Sequence, residues 1–247
     1  MKKITKLTTV FAATIAFALS ANAATISPTT AYGHNNKDNF GGNISDIYNG
    51  SGMNSNPETG GALPADINSW TQTGAGNYRN EWQADQLLDN TTSINAKVGW
   101  VIMDLGAPTA QLDQMHLWNG SQIGTSALKD FNLYYSTAPV VPATQGPTGG
   151  AAADDYDFGV AAWTQVGSTE TLSDGGGVAG AADGIYSLGG VTARYVALEM
   201  MSRHSGNIDP DSGRIGFAEA GFTAIPEPTT TALIGLGGLA LIIRRRK

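Results

Sequence analysis

Val98-Gly99-Trp100-Val101-Ile102-Met103-Asp104-Leu105-Gly106 is the stretch that decides the fold. Successive side chains of an extended strand point to opposite faces. Trp100 and Ile102 therefore share one face, and Val101, Met103 and Leu105 share the other. Both faces are apolar until Asp104, which is the pattern of a strand with something packed on each side. Moving outward, the period of two recurs. Met115 and Leu117 alternate with Gln114, His116 and Trp118, and Phe131, Leu133 and Tyr135 alternate with Asn132, Tyr134 and Ser136. Residues 163–172 and 185–188 read as further strands, Val196, Leu198 and Met200 alternate with Tyr195, Ala197 and Glu199, and residues 215–223 close the set. Gly, Asn, Asp, Ser and Pro separate these runs. The pattern predicts an all-β, antiparallel β-sandwich, with an eight-stranded jelly roll as its natural count. Two loops, residues 138–157 and 173–184, are rich in Gly and Ala and read as solvated insertions.

The ends are built differently. Lys2, Lys3 and Lys6 precede an apolar run at 7–19, and small residues Ala21 and Ala23 follow it. Charge, apolar run and small-x-small site in that order predict a signal peptide over 1–23, cut by signal peptidase before Ala24. At the other end, Pro226-Glu227-Pro228 leads into an apolar run at 232–243 and then Arg244, Arg245, Arg246 and Lys247. As a helix that run spans about 18 Å, short of the roughly 30 Å hydrocarbon core. The basic cluster would stay on the cytoplasmic side. This tail, residues 225–247, resembles the PEP-CTERM sorting signal of Gram-negative bacteria. The resemblance implies transient insertion in the inner membrane and recognition at Pro226-Glu227-Pro228 by an exosortase-type protease. It further implies delivery to the cell surface or exterior, in organisms that make exopolysaccharide.

Between the ends, residues 24–224 make one domain of ordinary size. The chain has 14 Lys and Arg and 21 Asp and Glu, but seven of the basic residues lie in the two terminal segments, and Glu227 lies in the tail. Seven basic residues then face twenty acidic ones in the domain. So acidic a surface repels phosphate backbones and argues against nucleic acid. The chain has no cysteine, which excludes thiol catalysis and disulfides. Only His34, His116 and His204 could act as imidazole bases, and neither a Gly-x-Ser-x-Gly elbow nor a His-Glu-x-x-His motif occurs. A non-catalytic role is expected.

The run at 98–106 also resembles the W-x-x-x-D-L-G strand of discoidin-like domains, the coagulation-factor type C or galactose-binding-like sandwiches. Leu-Asp-Gln-Met-His-Leu-Trp-Asn at 112–119, Ala-Leu-Lys-Asp-Phe-Asn-Leu-Tyr-Tyr-Ser at 127–136, Ala-Arg-Tyr-Val-Ala-Leu at 193–198 and Ile-Gly-Phe-Ala-Glu-Ala-Gly-Phe at 215–222 follow in the family's order. Ile-Ser-Asp-Ile-Tyr-Asn-Gly-Ser at 44–51 resembles its early turn, with Asn49 where Asp is commoner. The resemblance implies one structural Ca²⁺ held by Asn49 and Ser51 from that turn and Glu219 from the last strand. It implies that Asp104 and Arg194 are structural. It also implies a ligand surface on the connecting loops, usually for glycans. Sugar binding needs aromatic platforms and polar forks. Trp82, Trp118, Asn119, Arg203 and His204 are the candidate contacts, with Trp70 and Tyr78 as further platforms. The expected function is an exported, surface-sorted binding module for glycan or extracellular polysaccharide. A structural matrix or biofilm protein is the alternative, and an enzyme with an unrecognised carboxylate site comes third.

Overall fold

The structure, a computed structural model, describes residues 23–33, 44–53, 62–72, 82–85, 99–119, 127–139, 156–159, 162–175, 180–204 and 214–225. The expected signal helix and hydrophobic tail helix lie outside these residues, as do Ala21, Pro226, Glu227, Pro228, Arg244, Arg245 and Arg246. Thr25–Ala224 forms one compact unit. Its strands are β1 (Ala24–Ile26), β2 (Thr30–Gly33), β3 (Trp82–Asp85), β4 (Gly99–Asn119), β5 (Asp130–Ser136), β6 (Thr164–Thr171), β7 (Gly184–Met200) and β8 (Arg214–Ala224). They form one sheet in the order β1-β8-β4-β7-β5-β6, with β2 added against β4 and β3 against β8. The pairings among β2 to β8 are antiparallel.

The central strand differs from the sequence expectation. The runs around 98–105 and 115–118, read as two strands, are one strand of 21 residues. The runs at 185–188 and 195–200 likewise belong to the single strand β7, of 17 residues. The reason is a set of bends that interrupt the period without ending the ladder. Register between β4 and β7 shifts at three places between Asp104 and Gln114. Gly106 has φ 84° and Gln111 φ 56°, and Gly189 and Gly190 in β7 have φ 72° and 74°. Glycine takes such angles without steric cost. Each long strand therefore serves two arms. In the first arm β4 pairs with β2 and with 195–200 of β7, which pairs onward with β5. In the second arm β4 pairs with 184–191 of β7 and with β8.

The arms close over a shared core. Val101, Met103, Phe131, Leu133, Val196 and Leu198 from the first arm meet Met115, Leu117, Leu188, Phe217, Ala220 and Phe222 from the second. The outer faces are covered separately. Trp100, Ile102, Tyr195 and Ala197 pack under Phe158, and Trp118 and Ala218 pack under Met53, Ile67 and Trp70. This is what two apolar faces at 98–105 require. The three short strands β1, β2 and β3 were not expected, because segments of three or four residues carry too little alternation to register. The loops read as solvated are also partly built in. Tyr156, at the end of the first, packs against Trp100 with ring centroids 5.4 Å apart. Within the second, Gly180 exchanges backbone hydrogen bonds with Gln72 at 2.8 and 3.2 Å.

Asp104 fixes the bend. Its Oδ1 accepts from the Gly106 N–H at 2.8 Å and from Arg194 Nε at 2.9 Å, and its Oδ2 accepts from Arg194 Nη2 at 2.9 Å. Burial pushes this carboxyl up, but Arg194, Gly106 and Tyr195 together hold it below its ordinary value. A depressed carboxylate stabilises the fold above its unfolded pKa and loses that contribution as pH falls through the folded one. Asp104→Asn should therefore flatten the loss of stability below about pH 4, read from denaturant midpoints across the acid range. A second outcome tests the cover on the outer face. A Cβ on Gly221 would lie 2.6 Å from Trp70 Cζ3 and 2.7 Å from Ile67 Cδ1. Gly221→Ala should cost about 1–3 kcal/mol by overpacking, seen as a lower melting temperature.

Candidate functional site

The best-built polar site lies where the early turn meets β8. Trp118 pairs with Glu219 and Asn119 with Phe217, so Ala218 is an extra residue in β8. Such a bulge re-aims the side chains beside it. Glu219 is 0% exposed. Its Oε2 accepts the Gly50 N–H at 3.0 Å, while Oε1 has no partner. Gly50 reaches it because the turn passes through left-handed backbone, with φ 79° at Gly50 and 71° at Gly52. Asp46, 4% exposed, is the second carboxylate of the site. Its Oδ1 accepts from Asn49 Nδ2 at 3.2 Å and from Ser51 Oγ at 3.4 Å. Asn49 Oδ1 in turn accepts the Ser51 N–H at 2.8 Å.

Electrostatics makes the arrangement expensive as it stands. Burial pushes the Glu219 carboxyl well above the usual range. The Gly50 N–H draws it back, and Asp46 raises it further. A buried carboxylate beside another needs a proton or a cation. Among the described residues no group of three or more His, Cys, Asp and Glu could hold a metal. A cation here would have to use carbonyl, amide and hydroxyl oxygens beside two carboxylates. That donor set suits a hard ion such as Ca²⁺ and does not suit zinc. Asn49, Ser51 and Glu219 are thus brought together, and Asp46 joins them. Sequence reading passed over Asp46, although it stands three residues before Asn49 in the same quoted turn.

Glu219 Oε1 belongs to a wider pattern. The buried side-chain atoms without a partner among the described residues are His116 Nε2, Trp118 Nε1, Glu219 Oε1 and Thr223 Oγ1, and all four sit on β4 or β8. Burial also pushes the His116 imidazole down, so it is neutral at pH 7.

The candidate sugar contacts need correction. Trp82 is 1% exposed and packs edge-on against Phe217 at 6.3 Å. Trp118 is 1% exposed and stacks on Trp70 at 5.6 Å. Trp70 itself is 1% exposed, with Nε1 donating to Pro64 O at 2.7 Å. These rings fill core positions and present no face to a sugar. Asn119 is 1% exposed and stitches backbone: Nδ2 donates to Leu128 O at 2.8 Å and Ser173 O at 2.7 Å, its N–H donates to Asp183 Oδ2 at 2.7 Å, and its carbonyl accepts from Gln72 Nε2 at 3.1 Å. Arg203 and His204 are half-buried. Arg203 bridges to Leu128, the His204 N–H donates to Ala127 O at 3.1 Å, and His204 Nε2 lies 2.8 Å from Leu172 O. Asn119 and His204 thus converge on the same two backbone segments. Tyr78 lies outside the described residues.

Residues 224–247 match the PEP-CTERM protein-sorting motif. The motif indicates a protein sorted by exosortase to the cell surface or exterior. Among curated proteins no relative matches the chain. Solved structures similar to it include the F5/8 type C domain of a Bacteroides fragilis protein, 10% identical with TM-score 0.45, over 84% of this chain and 100% of that one. Another is the family 32 carbohydrate-binding module from Clostridium perfringens NanJ in complex with galactose, 10% identical with TM-score 0.40, over 82% and 99%. A third is truncated AlyQ with its CBM32 and alginate lyase domains, 13% identical with TM-score 0.39; the alignment takes in 84% of this chain and only 35% of that one.

The hydrogen bonds of Asn119 give a direct outcome. Asn119→Ala removes the donor to the buried Leu128 carbonyl, at about 1–3 kcal/mol, and the bond to the more exposed Ser173 carbonyl. Chemical denaturation should show a loss of that order, with the slope unchanged.

Proposed function

We propose that this protein is exported, sorted to the cell surface or exterior through its C-terminal motif, and acts there as a non-catalytic binding module for extracellular polysaccharide. The observation that carries the reading is the sorting motif at 224–247, which follows the compact β unit Thr25–Ala224 in sequence. Its ordered resemblance to discoidin-like sequences supports a ligand-binding role. In this reading signal peptidase cuts after Ala23, and the exosortase acts at Pro226-Glu227-Pro228 after transient insertion of the tail in the inner membrane. Binding is non-covalent, and shallow sugar sites of millimolar to micromolar affinity correspond to about 4–8 kcal/mol.

Calcium is part of the proposal. Asp46, Asn49, Ser51 and Glu219, with carbonyls of the turn, would hold it. Bound there, it would neutralise two carboxylates and tie the early segment to β8. Sites in extracellular modules need bind only at about 10⁻⁴–10⁻³ M, which the exterior can supply.

A second reading, a structural matrix protein without a specific small ligand, is favoured by one observation. Trp82 and Trp118, candidate platforms by sequence, are buried. A glycan array on the exported protein separates the two. The binding reading expects saturable signal on a subset of polysaccharides, and background signal everywhere from folded protein would favour the matrix reading. For the metal, calcium should raise the wild-type melting temperature and a chelator should lower it. Glu219→Gln, which removes the buried charge and keeps the shape, should melt at one temperature in both conditions. An undiminished calcium response in Glu219→Gln would overturn this assignment.

A further inference from the structure

The outer face of the first arm carries an arrangement that the motifs did not point to. Trp100 on β4 lies opposite Glu199 on β7, and Glu199 lies opposite Asn132 on β5. A polar row crosses the sheet here. Thr169 Oγ1 donates to Asn132 Oδ1 at 2.7 Å, Asn132 Nδ2 donates to Glu199 Oε2 at 2.8 Å, and Tyr134 OH donates to the same oxygen at 2.9 Å. Glu199 is the deep end of the row, at 4% exposure, and Thr169 is the exposed end. Beside the row stand the aromatic rings of Tyr156, Phe158 and Trp163. Phe158 stacks on Tyr134 at 4.7 Å, Tyr156 tilts against Trp100 at 5.4 Å, and Trp163 meets Phe158 edge-on at 5.4 Å. Trp163 Nε1 donates to Tyr156 OH at 2.9 Å, which fixes the two half-buried rings against each other.

We propose that this face is a polysaccharide subsite, with the Tyr156 and Trp163 rings as the platform and the Thr169–Asn132–Glu199 row as the polar fork. The proposal rests on the binding reading above and says where on the domain it is realised. The chemistry is that of a sugar ring. Pyranose C–H faces pack on aromatic faces, and sugar hydroxyls exchange hydrogen bonds with amide, hydroxyl and carboxylate groups. A row that is already hydrogen-bonded is held in place before the ligand arrives, which lowers the ordering cost of binding. Charge selects the ligand. Glu199 sits in the row and Asp157 between Tyr156 and Phe158, on a chain of net charge −7, so a polyuronate or other polyanion is repelled. The ligand is a neutral polysaccharide. Buried Trp82 and Trp118 then keep the second arm together, and recognition moves to the first arm.

Native electrophoresis of the exported protein through gels containing hydroxyethyl cellulose, galactomannan or polygalacturonate tests this. The wild type should be retarded in at least one neutral gel and not by polygalacturonate. Asn132→Ala and Trp163→Ala should each weaken retardation at least tenfold, and Trp163→Phe should recover most of it. Thermal melting of each variant reports folding, and the half-buried Asn132→Ala decides if Trp163→Ala does not fold. Retardation of the wild type with both alanine variants unchanged overturns this site and leaves the binding reading standing. Retardation by polygalacturonate alone overturns the site as well. A wild type that runs freely in all three gels removes the site and the binding reading together.

Discussion

One strand belongs to two arms of the sheet, and the rest of the architecture follows from how it bends. β4 cannot stay straight over 21 residues and also enclose a core, so it shifts register between Asp104 and Gln114. The Asp104–Arg194 pair sits at the start of that bend and links β4 to β7, which bends beside it at Gly189 and Gly190. With the Arg194 side chain 38% exposed, solvent screens the pair and its direct contribution to stability is small. Here its role is geometric, because it sets where the strand leaves one arm and enters the other. With the bend in place, the inner faces share one core and the outer faces are left to be covered by the connecting segments.

Those two covers are chemically unlike. The second arm is closed by the segment that includes Ile67 and Trp70, and its strands β4 and β8 carry the four buried polar side-chain atoms without partners among the described residues. Buried polar atoms in native folds are normally satisfied by protein, water or an ion. Glu219 is the most demanding of them, because its carboxyl is fully buried beside that of Asp46. The first arm is closed by aromatic rings and a hydrogen-bonded polar row. A domain sent outside the cell without cysteines has no disulfide to hold its early segment, and a cation at Glu219 would do that work.

Much of this was legible in the sequence, and particular residues show why. Trp100 and Val101 on opposite faces of one strand predicted covers on both sides, and both are present. Glu219, named from the resemblance as a ligand on the last strand, is an acid within the apolar run 215–222, and it is buried. The continuity of β4 was not legible, since the bend resets the alternation that strand reading depends on. Trp82 and Trp118 misled because a large aromatic in a polar neighbourhood reads the same whether it faces solvent or a partner strand. The Glu199 row was hidden for another reason. Asn132, Glu199 and Thr169 lie on three strands far apart in sequence, and only the register brings them into line.

The claim on which the second arm depends is that the Glu219 charge is balanced by a cation and not by a proton. Anomalous diffraction from crystals of the protein grown in calcium tests this most directly. The account predicts a peak about 2.3–2.6 Å from a Glu219 carboxylate oxygen, with Asp46 or the carbonyls of its turn completing the shell. A crystal saturated with calcium that shows no peak there, and a protonated Glu219 donating to a backbone carbonyl, would contradict it.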